Sequence, residues 1–266
     1  VPPDRSSIVW GEWLDQGRAR ESFGADAVTE QRNFSRCIRR AVEGSEHVFL
    51  APAGSYKWKT IDNPANPELE ERVREIITRN SPRLEIEDGL PFIEELRLVK
   101  TPYEIALLTR AAEITVSSHI RAMSYCRERL LSCGERPLYA GELQAILEGE
   151  MAAARATSGY RPIVGAGERG CFVQDFSNTA EVRPGDLVLV DAGARFNYYT
   201  ADVTRTWPVS GHFSPEQRLI YDVVLRGMEA CESILRPGAT LGDLEVKVGE
   251  VLTIGQRELG ILKGSL

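Results

Sequence analysis

The sequence predicts a mixed α/β (α+β) protein with two domains, over residues 1–88 and 89–266. Two observations support this class: short apolar runs bounded by turn residues, which indicate strands, and apolar residues at helical spacing behind Ser or Thr caps, which indicate helices. The 266 residues, 42% hydrophobic and 27% charged, are enough to bury the core of one large or two modest domains.

Residues 1–88 are predicted to form a small α/β domain. Val48-Phe49-Leu50 is an apolar run typical of a short strand. A helix is predicted from Pro67 to Thr78, because apolar residues recur at helical spacing at Leu69, Val73, Ile76 and Ile77. We expect a linker around Glu87–Pro91 to lead into the second domain.

Two capping boxes predict long helices in the second domain. Thr101-Pro102-Tyr103-Glu104 places a cap, a first-turn proline and a reciprocal glutamate at one helix start. Ser214-Pro215-Glu216-Gln217 repeats the device, and that helix is expected to stop at Pro237-Gly238. The core face of the first helix is predicted at Ile105, Leu108, Ala112, Val116, Ile120 and Met123.

A hairpin between these helices is predicted to carry two aspartates eleven residues apart. The apolar run Leu187–Val190 follows a turn signal, is typical of a strand covered on both faces, and ends at Asp191. Asn197 offers a turn, after which Ala201–Val209 returns as a strand that begins with Asp202.

The pair suggests a cation site. Two buried carboxylates at the same end of paired strands are costly without compensation, and only Arg195 and Arg205 are basic nearby. A metal held by Asp191 and Asp202 is therefore one interpretation. The alternative is that these aspartates cap turns or pair with arginine.

Other patterns exclude several function classes. A net charge of −7, a pI near 5.3 and the lack of a basic stripe argue against a nucleic-acid partner. No run of about eighteen apolar residues predicts a membrane span, and no secretory leader is visible. We expect a cytoplasmic location. Because the chain opens with Val rather than Met, a mitochondrial location directed by a preceding segment is kept as an alternative. The odd number of cysteines without C-x-x-C spacing indicates buried free thiols: Cys37, Cys126, Cys133, Cys171 and Cys231.

Gly165-Ala166-Gly167-Glu168-Arg169-Gly170 satisfies the dinucleotide pattern G-x-G-x-x-G. The nucleotide interpretation is disfavoured, because Cys171-Phe172-Val173 predicts a strand where a helix N-terminus would be needed, and hairpin glycines are expected instead. The scattered histidines, His47, His119 and His212, are interpreted as structural or solvent-facing. No serine-hydrolase elbow, H-E-x-x-H pair or P-loop is present.

Residues 191–222, DAGARFNYYTADVTRTWPVSGHFSPEQRLIYD, resemble the metal-binding hairpin of the aminopeptidase P and prolidase family, metallopeptidases of the pita-bread fold. Leu96–Ile105 is similar to the segment that enters the family's catalytic domain, and Tyr160–Gly165 to its substrate-side loop. A weaker resemblance covers Val9–Asp26, which is closer to the N-terminal domain of aminopeptidase P than to that of prolidase.

The resemblance implies a partial creatinase-like N-terminal α/β domain, residues 1–88, followed by an incomplete pita-bread catalytic domain, residues 89–266. It implies an Xaa-Pro aminopeptidase acting on peptides with proline in second position, by a hydroxide held between two divalent ions, usually manganese. Asp191 would chelate one ion, Asp202 would bridge both, and Tyr160 would line the substrate pocket. A homo-oligomer is compatible with this resemblance.

The chain departs from the family twice. The family places a histidine and two glutamates beyond a segment like Leu259–Gly264, so three further ligands are expected past Leu266, and the chain alone is predicted to bind metal weakly. Gln174 stands in the substrate-binding region where a histidine is usual, and its amide can donate a hydrogen bond but cannot exchange a proton near neutral pH.

Two function classes follow. One is the metallo-aminopeptidase, and the other is an inactive member or fragment that binds peptides or proteins, since a fold does not fix function. A methionine aminopeptidase is a third alternative, disfavoured by the N-terminal unit and by TWPVSGHFSPEQ, residues 206–217.

Overall fold

The computed structural model describes residues 15–50, 67–131 and 136–263, and its two compact units are Val1–Lys100 and Thr101–Leu266. The mixed α/β class is confirmed in both. Some residues used above lie outside the described ranges: Val9, Trp10, Gly11, Cys133 and the end of the chain from Gly264.

The described part of the first unit contains a two-stranded parallel sheet and four α-helices. The strand at Val48-Phe49-Leu50 and the helix starting at Pro67 are confirmed, and Ile77 on that helix is buried. The two strands, β1 His47–Leu50 and β2 Glu85–Asp88, pair in parallel, with His47 opposite Glu85. The elements are α1 Gln16–Phe23, α2 Phe34–Ala41, β1 His47–Leu50, α3 Pro67–Asn80, β2 Glu85–Asp88 and α4 Leu90–Leu98, with a 3-10 turn at Gln31–Asn33.

The linker predicted around Glu87–Pro91 is wrong. Glu87 pairs with Phe49 in the sheet, and α4 begins at Leu90. The Phe92 ring then packs edge-on against Phe49, with centroids 4.9 Å apart. The charged and turn-forming residues of this stretch end a strand and start a helix, which gives a composition like that of a linker.

The described residues of the second unit form small antiparallel sheets and four α-helices. The elements are α5 Pro102–Leu131, β3 Leu138–Tyr139, α6 Ala140–Ala153, β4 Thr157–Ser158, β5 Ile163–Ala166, β6 Glu181–Val182, β7 Leu187–Ala192, β8 Ala194–Phe196, β9 Tyr199–Thr200, β10 Val203–Pro208, α7 Pro215–Ile234 and α8 Leu241–Glu258, with a 3-10 helix at Gly167–Cys171. The central sheet has the order β10-β7-β5, a second sheet has the order β4-β8-β9, and β3 pairs with β6.

Both predicted capping boxes are confirmed. At the start of α5 the Thr101 N–H donates to Glu104 Oε2 at 2.7 Å, and the Glu104 N–H donates to Thr101 Oγ1 at 3.3 Å. At the start of α7 the Ser214 N–H donates to Gln217 Oε1 at 2.9 Å, and the Gln217 N–H donates back to Ser214 Oγ at 3.2 Å. These bonds satisfy N–H groups that lack helical partners, so each helix begins where its box predicts.

The predicted core face of α5 is wrong. Ile105, Val116 and Ile120 are each at least half exposed, and Leu108, Ala112 and Met123 are only partly buried. The buried face includes Thr115 and Ser118, whose hydroxyls donate to carbonyls of their own helix at 2.8 Å. Because these bonds remove the cost of burying a hydroxyl, hydrophobicity alone selects the wrong face. The buried residues of α5 are Leu107, Ala111, Ile114, Thr115, Ser118, His119, Ala122 and Cys126.

The sequence predicts that strand β7 is covered on both faces, but in the structure only one face is buried. Val188, Val190 and Ala192 are fully buried in the core with side chains of α5 and α6. The alternate residues Leu187, Leu189 and Asp191 are partly exposed. This alternation is normal for an antiparallel sheet, and it places Asp191 on the open face.

Candidate metal centre

The predicted hairpin is confirmed, with a more complex path than expected. Strands β7 and β10 pair antiparallel, and Thr204 lies opposite Asp191. Between them β8 and β9 form a tight turn in which Asn197 and Tyr198 have φ values of 46° and 70°. Positive φ at both central residues is what a type I′ hairpin requires, and asparagine accepts it readily. The turn predicted at Asn197 is therefore confirmed.

Gly193 allows the chain to cross itself beside the aspartates. A Cβ atom at this position would lie 1.7 Å from the carbonyl oxygen of Ala201. No side chain fits that space, so the crossing depends on glycine. The contact holds Ala201, which precedes Asp202, against Gly193, which lies two residues after Asp191.

The two aspartates converge on one hydroxyl group. The Tyr160 oxygen lies 2.6 Å from Asp191 Oδ1 and 2.8 Å from Asp202 Oδ1. Three of the four residues selected from the sequence therefore meet at one place, which we call the candidate centre. It consists of Tyr160, Asp191 and Asp202.

The oxygen chemistry of the candidate centre suits a cation. A tyrosine hydroxyl carries one proton, so it can donate to only one carboxylate at a time. The other carboxylate then faces the tyrosine oxygen without a hydrogen atom between them, and the negative charges of the two aspartates remain close together. A divalent ion offsets such an excess of acceptors, and hard oxygen ligands suit ions such as Mn²⁺. The residues present therefore fit a metal, although no third His, Cys, Asp or Glu ligand joins these two aspartates within the described part of the chain.

The aspartates are less buried than the sequence suggested. Asp191 is partly exposed, because it lies on the open face of the sheet, and Asp202 is exposed directly before the edge strand β10. The neighbouring arginines bond elsewhere: Arg205 Nη1 donates to the Thr204 carbonyl at 2.8 Å, and Arg195 Nε donates to Thr157 Oγ1 at 3.3 Å.

Tyr160 acts as a hydrogen-bond donor in the candidate centre. Burial raises the pKa of its hydroxyl well above the usual value, and hydrogen bonds to Asp191 and Asp202, together with their charges, raise it further. The phenol therefore keeps its proton near neutral pH, which fixes it as a donor to the carboxylates.

Asn178 fixes the loop that carries Tyr160. Its buried Oδ1 accepts the Val164 N–H at 2.8 Å, and its Nδ2 donates to Gln144 Oε1 at 2.7 Å and to the Pro162 carbonyl at 2.9 Å. Sequence reasoning missed this residue. In the sequence, Asn178 is an ordinary polar residue between Asp175 and Thr179, and nothing in this segment indicates its three distant hydrogen-bond partners.

Thr115 connects the long helix α5 to the hairpin. Its Oγ1 accepts the Ala194 N–H at 2.9 Å while donating to the Ala111 carbonyl at 2.8 Å. Both groups are buried, so this bond sets the position of β8 directly after the Asp191 strand. No local pattern predicts this hydrogen bond, because its partners are 79 positions apart.

Gln174 is not part of the candidate centre. It is an exposed residue of a turn, and its carbonyl accepts the Phe176 N–H at 3.1 Å. Among the described residues, no hydrogen bond joins the Gln174 side chain to Tyr160 or to either aspartate.

The glycine-rich motif ends strand β5 at Gly165-Ala166 but does not form the expected hairpin, and the strand predicted at Cys171-Phe172-Val173 is wrong. Gly167–Cys171 is a 3-10 helix, and Phe172 follows it without entering a strand. A Cβ at Gly165 would lie 2.7 Å from the Gly170 Cα atom, so these glycines let the chain fold onto itself. No α-helix starts directly after these glycines, so the helix N-terminus that a dinucleotide site needs is missing here and the nucleotide interpretation gains no support.

Comparison with known proteins assigns the family. Residues 106–262 match metallopeptidase family M24. The chain belongs to this family. It is 36% identical to Xaa-Pro aminopeptidase of Escherichia coli (strain K12) over 99% of its own length and 58% of that relative.

Solved structures confirm the pita-bread fold. Zinc-substituted E. coli aminopeptidase P in complex with product matches 99% of this chain and 58% of its own, with a TM-score of 0.83 and 33% identity. Proline aminopeptidase P II from Yersinia pestis matches 98% of this chain and 58% of its own, with a TM-score of 0.82 and 29% identity. The chain thus spans a little over half the length of these relatives.

The family assignment bears on the aspartates. Members of M24 are metallopeptidases, so divalent metal ions belong to the family. Two solved variants of the E. coli enzyme carry alanine in place of aspartates at positions eleven apart, the spacing of Asp191 and Asp202.

Two further properties concern the whole described chain. No helix in the described ranges has the length and hydrophobicity to cross a membrane. The four described cysteines are free, and only Cys126 is fully buried; Cys37 and Cys171 are exposed, contrary to the expectation of buried thiols.

Proposed function

We propose that this chain is the part of a metal-dependent Xaa-Pro aminopeptidase that supplies its first two carboxylate ligands. The substrates would be peptides with proline in second position, cleaved at the N-terminal Xaa-Pro bond. The convergence of Asp191 and Asp202 on the Tyr160 hydroxyl carries this proposal. The relatives named Xaa-Pro aminopeptidase support it.

Each residue of the candidate centre has a proposed role. Asp191 would chelate one ion and Asp202, the more exposed carboxylate, would bridge two. Tyr160 would orient these carboxylates through its hydroxyl and border the substrate. When bound, the ions would lower the pKa of a water molecule and polarise the scissile carbonyl. We propose manganese because both protein ligands are carboxylates, and we expect a histidine and two glutamates from a further segment to complete the centre.

The domain assignment is part of the same proposal. Residues 1–88 would belong to a creatinase-like N-terminal domain and residues 89–266 to an incomplete pita-bread domain. The parallel sheet of the first unit and the M24 match of the second support two domains, whereas the compact units themselves divide between Lys100 and Thr101.

The first prediction tests the metal ligands. Asp191→Asn and Asp202→Asn should each lower the affinity of the chain for Mn²⁺ by about tenfold or more, because each removes a carboxylate from a site with few ligands. Free Mn²⁺ can be titrated by its electron paramagnetic resonance signal. The matched control is Asp26→Asn, which removes an exposed carboxylate from the first unit. If both variants bind Mn²⁺ as the parent does, Asp191 and Asp202 are not its ligands.

Glutamine in place of histidine at position 174 favours the alternative, an inactive family member that binds peptides or proteins. We prefer the enzyme, because the relatives are named aminopeptidases and both aspartates are present. The second prediction rests on the family resemblance, which places a histidine at this position, and not on a contact with the candidate centre. Gln174→His should raise kcat on Xaa-Pro peptides about a hundredfold in the longer protein, because an imidazole can exchange a proton near neutral pH. The matched control is Gln174→Asn, whose amide cannot. Equal rates for both variants would rule out a proton-transfer role here.

The proposal extends to location and assembly. Free thiols at the exposed Cys37 and Cys171 support a reducing, cytoplasmic compartment. Exposed apolar side chains such as Val116 and Ile120 on α5 support contact with another surface, and we propose a homo-oligomer. Subcellular fractionation and sedimentation of the native protein test these two points.

A further inference from the structure

One group of potential metal ligands lies in the first unit and shares no residue with the candidate centre. Strands β1 and β2 pair in parallel, with His47 opposite Glu85 and Phe49 opposite Glu87. Partners in register project to the same side of a sheet, and residues two apart do so too. His47, Glu85 and Glu87 therefore share one face, and all three are exposed.

The ligand atoms of these side chains already converge. His47 Nδ1 lies 2.8 Å from Glu87 Oε1 and 3.5 Å from Glu85 Oε2, and one ligand atom from each residue lies within 4.8 Å of the others. Nitrogen and oxygen ligands about 2.1 Å from a tetrahedral zinc ion are about 3.4 Å from one another. Glu85 meets this spacing, and Glu87 needs to move outward by roughly half an ångström.

An ordinary ion pair accounts for only part of this arrangement. One glutamate suffices to pair with a histidine, whereas here two glutamates flank a single imidazole. Even a protonated His47 would leave the trio with a net negative charge. Glu46 and Arg83, which line the adjoining surface recess with His47 and Glu85, add one charge of each sign and leave this excess unchanged. A dication offsets it, and the exposed position leaves space for water to complete the coordination.

We propose that His47, Glu85 and Glu87 form a binding site for a divalent transition-metal ion, with Zn²⁺ as the best match to one imidazole nitrogen and two carboxylates. It is the one three-ligand group found among the described residues. The ion would link β1 to β2 and stabilise the folded first unit, because it binds the paired strands and not the unfolded chain.

The experiment uses the whole chain, without any histidine tag, carrying Asp191→Asn and Asp202→Asn so that the candidate centre does not contribute. Zn²⁺ is titrated by calorimetry and by the imidazole ¹H–¹⁵N NMR signals. The chain has three histidines, so these signals can be assigned by substitution. We expect one Zn²⁺ per chain, and the His47 signals should shift while those of His119 and His212 stay in place.

Substitutions in this background decide the result. His47→Ala should weaken Zn²⁺ binding by about tenfold or more, and Glu87→Gln, which keeps the size of the side chain, should also weaken it. The matched control is His212→Ala, because His212 is also exposed but belongs to no such group within the described residues. Failure to bind Zn²⁺ in this background, or binding that His47→Ala leaves unchanged, overturns the proposal. Neither result affects the proposed peptidase, whose aspartates are already replaced here.

Discussion

At the residue scale, the position of Tyr160 depends on Asn178. Asn178 is buried, has a positive φ of 50°, and uses its amide group in three hydrogen bonds. Asparagine suits the site twice over, because it tolerates the left-handed backbone and offers both a donor and an acceptor. Its partners Pro162 and Val164 follow Tyr160 closely in the chain, so this one amide constrains the loop that borders the candidate centre.

The third prediction is that Asn178→Ala lowers the free energy of unfolding of the second unit by about 3 kcal/mol. The lost acceptor leaves the buried Val164 N–H without a partner, at about 1–3 kcal/mol, and alanine adds about 1 kcal/mol of left-handed strain. The matched control is Asn197→Ala, since Asn197 has a similar φ of 46° but an exposed side chain. It should cost only the strain. Urea-dependent hydrogen exchange in β5 measures both, and equal losses would mean that the three hydrogen bonds contribute nothing.

At the element scale, the start of α5 was predictable but its buried face was not. The Thr101–Glu104 box is local, so four consecutive residues contain all the information that places the helix start. The buried face depends on what packs against the helix. Thr115 is buried because the Ala194 N–H, distant in sequence, needs an acceptor there. A periodicity of apolar residues has no means of showing that requirement.

The fourth prediction is that Thr115→Val lowers the free energy of unfolding of the second unit by about 1–3 kcal/mol, because the buried Ala194 N–H loses its acceptor while the side chain keeps its shape. The Ala194 amide should also exchange faster with solvent. Thr109→Val is the matched control: Thr109 makes the same bond to its own helix, to the Ile105 carbonyl at 2.8 Å, but it is exposed. Its effect should stay within about 0.5 kcal/mol. A loss at Thr109 as large as that at Thr115 would show that the helix bond, and not Ala194, is responsible.

At the scale of the whole molecule, the sequence identified the members of the candidate centre better than their environment. Asp191, Asp202 and Tyr160 were selected from the sequence, and the structure brings them together. Their exposure was not predictable, because it depends on which face of β7 the helices cover. The His47 group escaped notice for a related reason: its three members come from two strands that are joined only by the parallel register. Spacing along a chain shows such groups only when their members lie close in sequence, as Asp191 and Asp202 do and as His47 and Glu85 do not.

A buried thiol in the core of the second unit makes the folded state less stable at alkaline pH. Burial raises the pKa of the Cys126 thiol from 9.0 to about 11, and the Trp207 indole opposes this with a smaller effect. The folded chain therefore holds the thiol proton more tightly than the unfolded chain does. The resulting stabilisation is complete below pH 9 and is lost as the pH rises toward 11.

The fifth prediction is that the second unit loses about 1–3 kcal/mol of stability through Cys126 between pH 9 and pH 11. The measurement is urea unfolding across this range for the parent and for Cys126→Ala, which lacks the titrating thiol. Alanine lowers stability at every pH by leaving a cavity, so the slope with pH carries the information. Tyr160 also destabilises the fold when it ionises, but it is present in both proteins and cancels in their difference. The matched control is Cys171→Ala, which removes an exposed thiol in place of the buried one. Parallel curves for the parent and Cys126→Ala would mean that the buried thiol does not titrate with unfolding.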